Sequence, residues 1–174
     1  MVVGMLNRQS MLFKLREWQQ SDLVSLVKYA NNANIAKNMT NGFPHPYTLE
    51  NGQNFLNMAI TNNKTIKCIE INNEASGGIG LHLQNDIQCK NAELGYWLAE
   101  PFWGKGIVTD AIKQMVNYGF DNFDINRIYA RPFGTNLASQ KVLEKCGFTL
   151  EATLHQTLYK NDEYIDELIY AIRK

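Results

Sequence analysis

The residues best suited to bind a ligand form a short turn, Trp103-Gly104-Lys105-Gly106-Ile107. Because glycine has no Cβ, the backbone N–H groups around Gly104 and Gly106 can converge on one point and form an anion-binding nest. A helix that follows such a turn adds unpaired N–H groups and the positive end of its dipole. Lys105 and the hydroxyl group of Thr109 would support a bound diphosphate. An ordinary strand-to-helix turn would explain the two glycines equally well.

Two familiar nucleotide-binding motifs do not match this turn. A P-loop requires the pattern GxxxxGK[ST], and Gly104-Lys105-Gly106 lacks that frame. A dinucleotide fingerprint requires a third glycine three residues after the second, where this chain has Thr109. The anion is therefore expected to belong to some other ligand.

Hydrophobic periodicity predicts the elements that position the turn. Alternating apolar residues indicate strands, and apolar residues three and four apart indicate helices. Asn136 is placed to cap a helix at its start and Gly147 to end it. The polar stretch 31–47 contains Gly42, Pro44 and Pro46 and indicates a loop or a broken helix. The predicted strands are 11–16, 65–71, 78–83, 91–98, 126–131, 148–158 and 163–172, with a turn at 72–77; the predicted helices begin at Ser21, Thr48, Thr109 and Asn136.

This order of elements predicts an α+β (mixed α/β) fold with a mostly antiparallel central sheet flanked by helices. A chain of 174 residues suits one domain, 1–174, with a core of about 11–172. Hydrophobic residues make up 45% and charged residues 20%, which is typical of a globular protein. Lys+Arg and Asp+Glu number 17 each, and this zero balance argues against a nucleic-acid-binding protein.

The cysteines and the apolar runs exclude other classes. Cys68, Cys89 and Cys146 form no CxxC pair, so neither a metal site nor a disulfide framework is expected. No apolar run approaches the roughly 20 residues of a membrane span. The first residues lack the pattern of a secretory signal. We therefore expect a soluble, cytoplasmic protein without a metal and without a membrane partner.

Four segments of the sequence together indicate which ligand the glycine turn binds. Glu93-Leu94-Gly95-Tyr96-Trp97-Leu98 precedes the glycine turn, and Asn136-Leu137-Ala138-Ser139 and Cys146-Gly147-Phe148 follow it. Together they resemble the GCN5-related N-acetyltransferase (GNAT) superfamily, and within it the branch of proteins similar to ribosomal-protein N-terminal acetyltransferases. The resemblance covers about residues 11–172 and is strongest from Glu93 to Leu150.

The resemblance implies acetyl-coenzyme A as cosubstrate, with its diphosphate on the glycine turn. It implies that the strand from Glu93 to Leu98 is bulged and splays from the parallel strand 126–131, so that the pantetheine arm lies in the gap. A backbone N–H in that gap would polarise the thioester carbonyl. Asn136 is implied beside the arm and Ser139 near the sulfur. The cofactor-binding residues implied in this way are Tyr96, Trp97, Leu98, Trp103, Gly104, Lys105, Gly106, Ile107, Val108, Thr109, Asn136 and Ser139.

The chain departs from the family pattern at the catalytic acid. Many members carry a tyrosine seven residues after the motif asparagine, and this position is Leu143. Ser139 is the replacement candidate, through its hydroxyl group. A base must also deprotonate the acceptor amine. Glu93 is the leading candidate for this base, and His82 and His155 are alternatives.

These residues predict direct acetyl transfer to a primary amine through a tetrahedral intermediate. The acceptor is open between a protein N-terminus and a small-molecule amine. The aromatic segment Asn41–Tyr47 and the acidic residues Asp162, Glu163, Asp166 and Glu167 are candidates for its binding. Two alternatives remain: a non-catalytic acyl-CoA-binding sensor, which the missing tyrosine favours, and a binder of another nucleotide. A homodimer is expected by analogy.

Overall fold

A computed structural model describes residues 12–174. The strands are β1 (Lys14–Arg16), β2 (Ile66–Ile71), β3 (Glu74–Leu83), β4 (Asn91–Leu98), β5 (Arg127–Ala130), β6 (Thr149–Lys160) and β7 (Glu163–Arg173). The α-helices of the described residues are α1 (Leu23–Ala30), α2 (Ala33–Ala36), α3 (Leu49–Thr61), α4 (Ile107–Asn122) and α5 (Leu137–Lys145). The predicted α+β class is confirmed.

All seven strands of the described residues belong to one sheet, in the order β1-β2-β3-β4-β5-β7-β6. Neighbouring strands are antiparallel except β4 and β5, which are parallel. One core lies against α4 and α5, where Ala92 and Leu94 of β4 join Ile112 and Leu143. Side chains of a strand alternate between faces, so Trp97 faces the second core, which contains residues of α1 and α3.

The capping residues that the sequence suggested act as predicted. Asn136 Oδ1 accepts a hydrogen bond of 3.1 Å from the backbone N–H of Ser139 at the start of α5. Gly147, with φ of 87°, ends that helix in the left-handed region that glycine favours. At the start of α3, where the sequence predicted a helix but no cap, Thr48 and Asn51 form a reciprocal capping pair.

Several predicted boundaries are wrong for local reasons. The β2–β3 turn consists of Asn72 and Asn73, both with positive φ, so β3 begins at Glu74 and not at Gly78. Helix α4 begins two residues before Thr109 because Gly106 already caps it. By contrast, the segment 31–47, predicted as a loop or a broken helix, agrees with the structure: it contains the short helix α2, which Asn32 caps. The predicted first strand is shorter, and its residue 11 lies outside the described part of the chain.

The parallel pair β4–β5 separates, as the resemblance implied, but without a bulge in β4. Its register with β3 runs unbroken from Leu83↔Ala92 to Gly77↔Leu98, so the expected bulge is wrong. The last β4–β5 pair is Glu93↔Tyr129. Beyond it the chain follows β7: Leu168 N–H donates to the Pro132 carbonyl, and Gly134 N–H donates to the Asp166 carbonyl. The gap therefore arises because the chain after β5 stays paired with β7 while β4 stays paired with β3.

Candidate active site

The glycine turn between β4 and α4 presents free backbone donors. Gly104 and Gly106 have φ of 73° and 81°, and a Cβ built on either would meet no atom of the described residues within 4 Å. Within residues 12–174 no side-chain hydrogen bond caps the start of α4, and the N–H of Asp110 bonds to the Gly106 carbonyl at 3.1 Å. The first N–H groups of the helix therefore point into open space, as an anion site requires.

The turn is fixed to the end of β4 by an aromatic side chain. Trp103 Nε1 donates a hydrogen bond of 2.7 Å to the carbonyl of Leu98. The Lys105 ammonium lies 5.5 Å from the centre of the Phe102 ring. These contacts bring the anion nest next to the open end of the β4–β5 gap.

One cavity of about 1100 Å³ joins the turn to the gap. Its size suits a large cofactor, since ligand pockets commonly measure about 300–1,000 Å³. The leading catalytic candidates and the residues implied for cofactor binding line it: Glu93, Tyr96, Trp97, Leu98, Trp103, Gly104, Lys105, Gly106, Ile107, Val108, Thr109, Asn136 and Ser139.

A pair of hydroxyl groups forms part of this cavity. Tyr96 Oη and Ser139 Oγ share a hydrogen bond of 2.6 Å. Burial raises the pKa of the Tyr96 phenol to about 12, although the bond to Ser139 opposes that shift. The phenol is therefore protonated at neutral pH and can donate to Ser139. The sequence singled out the backbone of Tyr96 and missed its hydroxyl group, because Ser139 lies 43 residues away.

Leu143 occupies the family's tyrosine position and is fully buried in the core. It contributes no proton donor to the cavity, as the sequence predicted. The adjacent residue on the helix, Val142, lines the cavity instead.

Glu93 is the last residue of β4 that pairs with β5, and it belongs to an ion-pair network. Its Oε1 accepts a hydrogen bond of 2.9 Å from Arg131 Nε. Arg131 Nη1 also lies 3.1 Å from Oε1 of Glu167, which is buried. The bond to Glu93 raises the pKa of Arg131. Two carboxylates and one guanidinium give this network a net charge of −1.

The wall across from the sheet comes from the end of α2 and the residues after it. Asn38, Met39 and Thr40 line the cavity, whereas the predicted lip, Asn41–Tyr47, does not. In that segment Phe43 packs on Trp97, with ring centres 5.5 Å apart. The Lys160 ammonium, at the tip of the β6–β7 hairpin, contacts the Met39 carbonyl and thereby joins hairpin and wall.

The predicted acidic residues of the hairpin lie outside the cavity. Asp166 pairs with His155 at 3.2 Å, and Glu167 reaches the site only through Arg131. His155 does not line the cavity, whereas His82 does. Arg131 was not predicted; its position directly after a strand beside the gap was the available signal.

Among residues 12–174, no helix is long and apolar enough to cross a membrane. The same residues contain no group of three or more His, Cys, Asp or Glu side chains that could hold a metal ion.

The fold and the site agree with a family assignment. The family model "Acetyltransferase (GNAT) domain" matches residues 13–149, and the chain belongs to this family. The family resemblance read from the four motif segments is therefore confirmed.

Individual relatives point to the same group. YdaF of Bacillus subtilis (strain 168) is 36% identical over 98 residues, which are 56% of this chain and 53% of that protein. The ribosomal-protein-serine acetyltransferase of Escherichia coli (strain K12) is 34% identical over 82 residues, 47% of this chain and 46% of that one. The chain thus spans about half the length of these curated relatives.

Solved structures match over nearly the whole chain. The microcin C7 self-immunity acetyltransferase MccE, solved with acetyl-CoA and AMP, has a TM-score of 0.80 and 27% identity and covers 93% of this chain and 92% of its own. The spermidine N-acetyltransferase of Vibrio cholerae, solved with CoA and spermine, has a TM-score of 0.77 and 25% identity and covers 92% and 95%. Acetyl-CoA is accordingly the cosubstrate that the family assignment indicates.

Proposed function

We propose that this protein is an N-acetyltransferase that transfers the acetyl group of acetyl-CoA directly to a primary amine. The observation that carries the proposal is the continuous cavity from the glycine turn to the β4–β5 gap. The turn would hold the diphosphate through backbone N–H groups, and unpaired backbone of β4 would bind the amide-containing arm. Because all seven described strands form one sheet, we also infer that 1–174 is a single acetyltransferase domain.

The leaving thiolate would be stabilised by Ser139. If Tyr96 donates its proton to Ser139 Oγ across their 2.6 Å bond, the serine hydrogen is free to point into the cavity. A positioned donor at a developing negative charge stabilises the transition state. Asn136 uses Oδ1 to cap α5, which leaves its NH₂ group for the cofactor arm.

The main reason for proposing a non-catalytic protein no longer holds. It depended on the absence of a hydroxyl group at Leu143, and the Tyr96–Ser139 pair supplies hydroxyl groups to the same cavity. No observation favours a sensor over an enzyme.

The acceptor side is expected around Glu93. The net charge of −1 on Glu93, Arg131 and Glu167 favours the approach of a cationic amine. Relatives named for a ribosomal protein and for spermidine define two acceptors to try, a peptide with a free N-terminal serine and spermidine.

The decisive experiment has two parts. Calorimetric titration should detect binding of acetyl-CoA, and ATP should not compete. Thiol release should then depend on an added amine. Cofactor binding without release for any primary amine would favour the sensor, and failure to bind acetyl-CoA would overturn the whole proposal.

A further inference from the structure

His82 lies where a base for the acceptor amine is needed. It is the cross-strand partner of Glu93 in the antiparallel β3–β4 pair, so both side chains lie on the same face of the sheet. A Cβ built on Gly95 would lie 3.6 Å from His82 Nε2. Gly95 follows the last β4–β5 pair, Glu93↔Tyr129, so the imidazole lies beside the part of β4 that borders the gap.

The predicted base, Glu93, is already engaged. Arg131 donates to its Oε1 at 2.9 Å, and the Tyr129 hydroxyl lies 3.5 Å from its Oε2. Both oxygens of the Glu93 carboxylate therefore already have a donor beside them. In this position Glu93 can attract a cationic amine by its charge, whereas the imidazole of His82 has no such ion pair with Arg131.

The imidazole of His82 is accessible from the cavity. The side chain is exposed and lines the cavity. The charged and titratable groups on this face include Glu93, directly opposite, and Arg131, paired with it. Tyr129 and Arg127 of β5 lie on the same face, and Arg127 is paired with Glu151. The wall across the cavity offers Asn34, Asn38, Met39 and Thr40, none of which titrates. A neutral imidazole nitrogen can accept a proton from an amine and pass it to water, as a general base must.

We propose that His82 is the general base of the acetyl transfer, an inference that rests on the proposed function. The acceptor ammonium loses one proton to His82 Nε2, and the imidazolium releases it to solvent. The neutral nitrogen then forms the N–C bond at the thioester carbon, and the C–S bond breaks. The second proton lost by the nitrogen ends on the sulfur, so the products are an acetamide, coenzyme A thiol and one released proton.

The proposed base and the proposed donor to the thiolate then lie on opposite faces of β4. His82 and Glu93 share one face, and Tyr96, three residues after Glu93, points to the other, where it meets Ser139. The amine would approach from one side of the gap, and the thiolate would be stabilised from the other.

The test compares His82→Gln with wild type on two kinds of nucleophile. For acceptors that are protonated at neutral pH, spermidine and a serine-started peptide, kcat/KM should fall by about 100-fold or more. Hydroxylamine is largely neutral near about pH 7.5 and requires no base, so its rate should fall far less. The loss with the protonated amines should shrink as the pH rises, because more of the amine is neutral. Binding of acetyl-CoA should be unchanged.

Two matched variants complete the design. His155→Gln makes the same substitution at an exposed histidine outside the cavity and should behave as wild type. Glu93→Gln should raise the KM for the amine, but its kcat should rise with pH in the same way as that of the wild type. The role of His82 would be disproved if His82→Gln lost as much activity with hydroxylamine as with the amines, or if it kept wild-type rates. Either result would leave the proposed function untouched. Wild-type protein that acetylates no nucleophile at all would overturn the proposed function with it.

Discussion

The hydroxyl groups of Tyr96 and Ser139 lie 2.6 Å apart in the cavity, although the two residues belong to β4 and α5. Ser139 is held at its backbone by Asn136, and Tyr96 packs against the core beside α4 and α5. Both oxygens are thus fixed by neighbouring structure. Under the proposed mechanism, this arrangement would compensate for Leu143, whose buried side chain has no hydroxyl group.

We predict that Tyr96 and Ser139 affect catalysis through the same interaction. Ser139→Ala should lower kcat by about 100-fold through loss of a donor to the thiolate. Tyr96→Phe should lower it by about 10-fold, because Ser139 then loses its orientation. The double variant should be no slower than Ser139→Ala, since the tyrosine acts through the serine. Steady-state kinetics with saturating acetyl-CoA measures all three.

The control for this pair is Tyr164→Phe at the exposed tip of the β6–β7 hairpin, which should leave kcat unchanged. Multiplicative losses in the double variant would contradict the shared role. So would a large increase in the KM for acetyl-CoA, which would indicate a binding role instead.

Gly106→Trp should abolish acetyl-CoA binding. The glycine has φ of 81°, and the space in front of it is open, so an indole would be strained and would fill the diphosphate site. Titration calorimetry measures the loss, and circular dichroism should find the helices intact. Gly42→Trp is the matched control, because Gly42 is exposed and outside the cavity. Normal affinity in Gly106→Trp would remove the glycine turn from the cofactor site.

Leu143→Tyr should not restore a catalytic acid. Leu143 is fully buried, so a larger side chain overpacks the core and should lower the free energy of unfolding by about 1–3 kcal/mol. The buried phenol would also need a hydrogen-bond partner. Urea denaturation measures the loss, with Leu137→Tyr, an exposed position on the same helix, as the control. A faster and equally stable variant would disprove this prediction.

Acid should destabilise the fold through the edge of the sheet. Arg16 binds Asp22 through both terminal nitrogens, at 2.7 and 2.8 Å, and also contacts Glu70. The hydrogen bond from Arg16 lowers the pKa of Glu70. A carboxyl group whose pKa is lowered by folding contributes stability above its unfolded pKa, about 4.3, and loses it as the pH falls further.

The free energy of unfolding should therefore decline below about pH 4.3, and Glu70→Gln should show a smaller decline together with lower stability at pH 7. Urea titrations at several pH values measure both effects. Glu163→Gln, at an exposed hairpin position, is the control and should follow wild type. An acid-induced decline that is unaltered in Glu70→Gln would show that the Arg16 network is not its source.

The glycine turn was predictable from the sequence because its chemistry is local. Gly104 and Gly106 suggested a backbone anion site, and both have the left-handed φ that only glycine adopts easily. The capping role of Asn136 and the stop at Gly147 follow from residue type and spacing in the same way. The absence of the family's tyrosine at position 143 could also be predicted, because this position lies seven residues after Asn136.

The remaining features of the site depend on residues far apart in the chain. Tyr96 meets Ser139 because α5 packs on the same core as β4. His82 lies opposite Glu93, and Arg131 joins Glu93 to Glu167, because β3, β4, β5 and β7 follow one another in one sheet. The gap itself was expected from a bulge in β4 and instead results from the pairing of residues after β5 with β7. Local sequence preferences act over a few residues, whereas strand pairing is selected by the packing of the whole core. The sequence by itself determined the glycine turn and the family; the tertiary structure alone decided which side chains meet in the cavity, because strand pairing and helix packing align side chains that no local pattern relates.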